Sequence, residues 1–167
     1  MILGFGHPAI VVTDLELMAE FYVKAFGFSP LNGVFESWDS NPTIDSAIGL
    51  KNSAAKGLML AGHNSYLELF KFQRPKSTAR PASELLASDQ GIRHLCFYTD
   101  DLEADYNRLL SLGATSLGAP QKQNGIAAVY LRDPEGNILE LAEFPSDEEN
   151  LINLSGIQSA QEHHIDV

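Results

Sequence analysis

The chain carries one pattern twice, and each copy sets a histidine and a glutamate at matching positions. The first copy reads H-x6-D-L-E from His7 and later L-E-L-x-x-F around Glu68. The second copy repeats both motifs, from His94 and around Glu140. A repeat of this kind predicts two copies of one structural unit. Because the polar residues are repeated along with the apolar ones, it also predicts a functional site.

Each copy begins with a strand and a capped helix. Residues 7–12 alternate as a strand, Thr13 or Asp14 can cap a helix over Leu15–Phe26, and Gly27 ends it. The second copy predicts a strand over His94–Tyr98 and a helix over residues 102–112, ended by Gly113.

Each copy ends with a predicted hairpin, which joins residues 57–61 to 66–72 and residues 127–132 to 138–141. The predicted fold class is therefore α+β, with two βαβββ modules forming a curved mixed sheet, a cup, and the helices outside. The predicted boundaries are residues 1–72 for the first module, 73–91 for a linker with a short helix at 83–87, and 92–145 for the second module. The acidic tail, residues 146–167, is expected to be partly disordered.

Strand alternation assigns the predicted ligands to faces. Ile10 points opposite to His7, and leucines flank both Glu68 and Glu140. The aliphatic side chains should lie beneath the helices, so His7, Glu68, His94 and Glu140 are expected on the other face, inside the cup.

Two imidazoles and two carboxylates form a donor set suited to one divalent cation, Zn, Ni, Mn, Fe(II) or Co. Taken singly, a strand histidine is more often a hydrogen-bonded core residue, and a strand glutamate usually faces solvent. The matched pairs favour a metal site, because two buried carboxylates facing each other without a cation would be unstable.

The charge balance excludes several partners. Lys and Arg number 11 against 22 Asp and Glu, a net charge of -11, which disfavours nucleic acid and anionic membranes.

The one cysteine, Cys96, rules out an internal disulfide and is interpreted as lining the cavity. No apolar run reaches the roughly 18 residues of a membrane span, and the N-terminus reads as a strand. A cytoplasmic location is therefore expected.

Residues outside the four predicted ligands carry weaker signals. The loops predicted at residues 32–56 and 115–125 are expected to wall the pocket and set specificity. Four cations near the linker could attract an anion, although a solvated surface is the simpler interpretation: Lys71, Arg74, Lys76 and Arg80. The hairpin residue His63 is expected to face solvent.

The segments HPAIVVTDLELMAEFYVKAFGF and VYLRDPEGNILEL, with the four spaced ligands, resemble the vicinal oxygen chelate superfamily. This is also called the glyoxalase/bleomycin-resistance/dioxygenase group, and the resemblance spans residues 7–144. It implies paired βαβββ modules, a metal bound in the cup, and a substrate that chelates the metal through neighbouring oxygens.

Three kinds of member are similar to the chain. Glyoxalase I uses the same ligand set, with Glu140 at the place of its catalytic base, but Val11 and Phe72 stand where its arginine and asparagine would be. This argues against a glutathione adduct. Methylmalonyl-CoA epimerase resembles YLELFKFQRPKS and GIRHLCFYTDDLEA but lacks DPEGN. Extradiol dioxygenases place their ligands at His7, His94 and Glu140.

The leading hypothesis is a metal-dependent lyase or isomerase that moves a proton next to a carbonyl of a small molecule, with Glu140 or Glu68 as the catalytic base. The alternatives are an Fe(II) extradiol-type dioxygenase, a methylmalonyl-CoA epimerase-like isomerase, and a metal-free ligand-sequestering resistance protein. A homodimer is expected, because open sheet edges can be covered by a second subunit.

Overall fold

The computed structural model describes residues 1–2, 4–32 and 37–144, so the predicted acidic tail lies outside the described residues. The chain divides into two compact units, one up to Ala79 and one from Arg80 onward. The first unit contains β1 Ala9–Val11, α1 Leu15–Phe26, β2 Ser29–Leu31, β3 Ser37–Asp39, α2 Pro42–Ile48, β4 Ala54–Ala61 and β5 Tyr66–Arg74. The second contains a 3-10 turn at Ala82–Glu84, β6 His94–Tyr98, α3 Leu102–Ser111, β7 Thr115–Ser116, β8 Gln121–Gln123, β9 Ile126–Arg132 and β10 Ile138–Glu143.

The sheet of the first unit has the order β1-β5-β4-β2, and β3 also pairs with β4. Strand β1 is parallel to β5, and the other pairs are antiparallel. The short strands β2 and β3 pair with opposite ends of β4. Together they occupy the place of the single strand that the sequence predicts after the helix.

The second unit repeats this topology. Its order is β6-β10-β9-β7, with β8 also on β9 and β6 parallel to β10. The two short strands β7 and β8 again replace one longer strand. Strands β8 and β9 are joined through Asn124 and Gly125, with φ of 52° and 86°, the left-handed pair favoured in two-residue hairpin turns. The α+β fold class predicted from the repeat is confirmed.

Both long helices begin at a capping aspartate. The Asp14 carboxylate accepts a hydrogen bond from the Leu17 amide at 3.1 Å, and Asp101 accepts one from Ala104 at 3.0 Å. Helix α1 ends at Gly27, whose φ of 68° is left-handed, as predicted. Helix α3 ends one residue earlier than predicted. None of the helices among the described residues is long and apolar enough to span a membrane.

The core of each unit lies between a helix and its sheet. Helix α1 packs on β4 and β5, and α3 packs on β9 and β10. The leucines that flank the two glutamates are almost fully buried: Leu67, Leu69, Leu139 and Leu141. Because neighbouring residues of a strand point to opposite faces, each glutamate lies on the side away from the helix.

The segments predicted as loops contain regular structure. Residues 32–56 include β3, α2 and the start of β4, and residues 115–125 include β7 and β8.

Strand β1 is shorter than predicted because it starts after Pro8, although the Pro8 carbonyl still accepts a hydrogen bond from the Glu68 amide at 3.0 Å. The linker helix predicted at 83–87 is instead the 3-10 turn, after which Leu85 is extended.

Substitution of Gly136 by alanine is expected to destabilise the protein by about 2 kcal/mol or more. Its φ is 95°, and a Cβ there would lie 2.5 Å from the Ser83 backbone. Gly118→Ala is the control, because its Cβ would meet nothing within 4 Å. Urea unfolding of the two variants measures the difference, and equal midpoints would contradict this account of the turn.

Candidate functional site

The first unit brings together His7 and Glu68. The His7 Nε2 lies 3.2 Å from the Glu68 Oε2. The Glu68 side chain is 7% exposed, whereas that of His7 is 37% exposed. Glu68 is therefore a buried carboxylate that is reached from one side by an imidazole that remains open to solvent.

The second unit brings together His94 and Glu140 in the same way. The His94 Nε2 lies 3.0 Å from the Glu140 Oε2, with side chains 38% and 18% exposed. In the parallel ladder, His94 lies opposite Ile138 and Cys96 opposite Glu140, so these side chains share one face of the sheet. The matched pairs predicted from the repeat are thus present within each unit.

Tyr130 is a site residue that sequence analysis missed. It lies directly opposite Glu140 in the β9–β10 hairpin, and its hydroxyl donates a hydrogen bond to the Glu140 Oε2 at 3.0 Å. Its ring also meets the His94 ring edge to face, with 5.2 Å between centroids. The signal in the sequence was the hairpin register, since a tight turn after residue 132 fixes which residue faces Glu140.

The two pairs differ at this cross-strand position. Met59 lies opposite Glu68, where Tyr130 lies opposite Glu140. A thioether cannot donate a hydrogen bond, whereas a phenol can. The carboxylate of the second unit therefore has a donor besides its histidine that the equivalent position of the first unit cannot supply.

Cys96 and Tyr130 both remain protonated beside Glu140 at neutral pH. Cys96 is exposed on the open face of the sheet, yet partial desolvation, followed by the charge of Glu140 and a hydrogen bond to it, raises the pKa of its thiol to about 12. Burial and the hydrogen bond to Glu140 also raise the pKa of the Tyr130 phenol. Since the thiolate is the reactive form of cysteine, this supports the interpretation of Cys96 as a lining residue and not a nucleophile.

Two of the four cations near the linker are paired with carboxylates within their own unit. In the first unit, Arg74 is paired with Asp39 and donates to the Asn52 carbonyl at 3.2 Å. In the second unit, Arg80 lies 3.3 Å from Asp89. Each guanidinium therefore has its own carboxylate partner, which agrees with the interpretation of these cations as part of a solvated surface. His63 is exposed, also as expected.

Within residues 1–2, 4–32 and 37–144, no three His, Cys, Asp or Glu side chains are gathered where they could hold a metal ion. The four predicted ligands occur as two His–Glu pairs, one in each unit. A single centre made of all four remains a prediction.

Comparison with known proteins identifies the family. Residues 4–141 match the model of the glyoxalase/bleomycin resistance protein/dioxygenase superfamily, so the chain belongs to this superfamily. A search of curated proteins finds the virulence protein STM3117 of Salmonella typhimurium, which is 23% identical over 143 residues, covering 83% of this chain and 82% of that protein.

Solved structures share the fold. A glyoxalase family protein from Bacillus cereus superposes with a TM-score of 0.76 at 23% identity, covering 86% of this chain and 95% of that chain. A domain of the same superfamily from Frankia sp. EAN1pec has a TM-score of 0.63 at 16% identity, covering 88% and 96%. At these identities the likeness defines the fold, and the activity has to be argued from the site.

Proposed function

We propose that this protein is a divalent-metal-dependent lyase or isomerase that moves a proton next to a carbonyl of a small molecule with two neighbouring oxygens. The observation that carries the proposal is the pair of matched His–Glu contacts, at 3.2 Å and 3.0 Å, on equivalent strands of the two units. Folding alone does not require a His–Glu pair on the helix-free face of each sheet, so the repetition of the pair indicates a function.

The chemistry of the four side chains fits a divalent cation. Imidazole nitrogen and carboxylate oxygen are the donors that Zn, Ni, Mn, Fe(II) and Co accept. A carboxylate as buried as Glu68 is stable only with a charged or hydrogen-bonding partner. His7, Glu68, His94 and Glu140 would hold the metal, which when bound would polarise the substrate oxygens as a Lewis acid.

Glu140 is the proposed catalytic base. Its carboxylate would take the proton from the hydroxyl-bearing carbon next to the substrate carbonyl and return it to the former carbonyl carbon. The hydroxyl proton would pass to the former carbonyl oxygen, so the substrate would be isomerised with no net gain or loss of atoms. The Tyr130 hydroxyl, 3.0 Å away, would keep the carboxylate oriented during this exchange. Glu68 is the less suitable base, because it is more deeply buried and faces Met59.

An Fe(II) extradiol-type dioxygenase is the second candidate. It would use His7, His94 and Glu140, and the deep burial of Glu68 is compatible with a bystander role for that residue. Oxygen uptake with catechol, lost when iron is replaced by zinc, would favour this candidate over proton transfer.

Loss of either histidine is expected to lower the metal content of the protein. Protein purified without a chelating tag should contain about one divalent ion per four-ligand site, measured by elemental analysis. His7→Ala and His94→Ala should each lose most of it while far-UV circular dichroism is unchanged. The exposed His63→Ala is the matched control. Equal metal content in all four proteins would refute the centre.

Glu140→Gln is expected to reduce kcat by ~100-fold or more while leaving the fold intact, the usual scale for a catalytic base. The substrate would come from a screen of α-oxoaldehyde thiol adducts, acyl thioesters and catechols. Tyr130→Phe, which keeps the ring and removes the donor, should give a smaller loss of kcat. Full activity in Glu140→Gln would remove this residue from its proposed role.

We also propose that the protein acts as a homodimer. Strands β1 and β6 lie at the ends of the two strand orders, and Val11 on β1 is 58% exposed. Edge strands with exposed apolar side chains are commonly covered by another chain. Light scattering should give twice the mass of the chain, and Val11→Lys should shift it toward the mass of one chain. A single-chain mass for the unaltered protein would exclude the dimer.

A further inference from the structure

Three aromatic side chains cluster on the same sheet face as Glu68. Trp38, Phe70 and Phe72, called here the aryl cluster, have ring centroids 5.6 to 5.9 Å apart. Phe70 and Phe72 follow Glu68 at two-residue steps on β5, so they share its face, the first about 7 Å along the strand. The cluster therefore begins beside the first His–Glu pair.

The fold itself does not require this cluster. The repeat aligns Phe70 with Ala142 and Phe72 with Phe144. Trp38 pairs with Ala55 on β4, and the matching position on β8, opposite Ile126, is Gln123. The second unit builds the same sheet with an alanine and a glutamine at two of the three positions, so packing alone does not explain the aromatic residues.

The indole of Trp38 is held in a fixed orientation. Its Nε1 donates a hydrogen bond to the Ser53 Oγ at 2.7 Å. Ser53 is fully buried, and its amide donates to the Asp45 carboxylate at 3.0 Å. All three rings of the cluster are half-buried. A preorganised, partly exposed aromatic surface is what binding of a flat apolar group needs.

On this face of the first unit, the positions of β4 from Ala55 to Ala61 and of β5 from Tyr66 to Phe72 carry no lysine or arginine. Lys56 and Lys71 lie directly opposite each other in the ladder, on the helix side of the sheet. The residues of β4 and β5 on the other side, with Glu68, are Ala55, Gly57, Met59, Ala61, Tyr66, Phe70 and Phe72. An anionic substituent would find no lysine or arginine to pair with in this set. A neutral aromatic substituent would meet apolar and aromatic side chains.

We propose that the aryl cluster binds an uncharged aromatic group of the substrate, next to the two oxygens that chelate the metal. This inference rests on the proposed metal-dependent function and adds the substrate class to it. The aromatic rings would contact the flat group edge to face or in offset stacks, which stabilises such pairs beyond the burial of their apolar area.

Two hydroxamates separate the aryl contact from chelation. Benzohydroxamate and acetohydroxamate chelate a divalent ion through the same two oxygens and differ in a phenyl or a methyl group. Calorimetry on zinc-loaded protein should show benzohydroxamate binding at least ~10-fold tighter, the scale expected for a buried phenyl. Benzohydroxamate should also change the fluorescence of Trp38, the one tryptophan of the chain, more strongly than acetohydroxamate does.

Phe70→Leu tests the cluster with little loss of apolar volume. It should reduce the preference for benzohydroxamate several-fold while leaving the affinity for acetohydroxamate unchanged. Phe144→Leu is the control, because it makes the same replacement in the second unit, at the position that the repeat aligns with Phe72 of the cluster, and it should leave the preference intact. Trp38→Leu should act as Phe70→Leu does.

The outcomes distinguish the two proposals. If both hydroxamates bind equally well, or if Phe70→Leu and Phe144→Leu change the preference alike, the aryl cluster is not the subsite and the metal-dependent function still stands. If neither hydroxamate binds zinc-loaded protein, the metal-dependent function fails and this inference fails with it.

Discussion

The burial of a carboxylate on a largely apolar face of the first sheet is the constraint around which the candidate site is arranged. Glu68 lies between two fully buried leucines on β5 and contacts His7. A carboxylate in such surroundings needs a compensating donor or cation, since desolvation of an unpaired charge outweighs what neighbouring apolar contacts contribute. The strand register that sets Glu68 beside the start of β1 therefore determines where chemistry can occur in the first unit.

The two units provide equivalent scaffolds, and the residues around their glutamates differ. The second unit places a phenol and a thiol beside Glu140, which gives that carboxylate polar surroundings. The first unit places a thioether opposite Glu68 and aromatic rings further along the strand. In the proposed function, one copy would handle the proton and the other would contact the substrate, so a symmetric fold would carry an asymmetric site.

The sequence was most informative where local chemistry determines structure. Helix α1 was predicted to the residue because Asp14 and Gly27 define its ends, and both His–Glu pairs followed from the repeat. The broken strands β2, β3, β7 and β8 were missed because two or three residues are too few to show alternation. Helix α2 was missed although Asn41 and Pro42 signal its start.

The repeated motifs did not reveal Tyr130 or the aryl cluster. Both depend on which residues face each other across strands, and a one-residue change in register moves a side chain to the other face. Tyr130 belongs to the site because it stands opposite Glu140, and Trp38 reaches Phe72 across β4 through Ala55. A repeated motif indicates residues that occur in both copies. Tyr130 and most of the aryl cluster stand at positions where the two copies carry different residues.

The hydrogen bonds of the Arg132 guanidinium determine where a fragment containing only the second repeat could begin. It donates to the carbonyls of Ala82, Leu85 and Gly136, at 3.0, 2.7 and 2.6 Å, and so ties the connecting segment to the β9–β10 turn. The carbonyls of Ala82 and Leu85 precede the second histidine motif, yet they belong to the hydrogen-bonded framework of the second unit. A fragment meant to fold as the second repeat alone would thus have to start near Arg80, because one beginning at the motif would leave Arg132 with only the Gly136 carbonyl of its three acceptors.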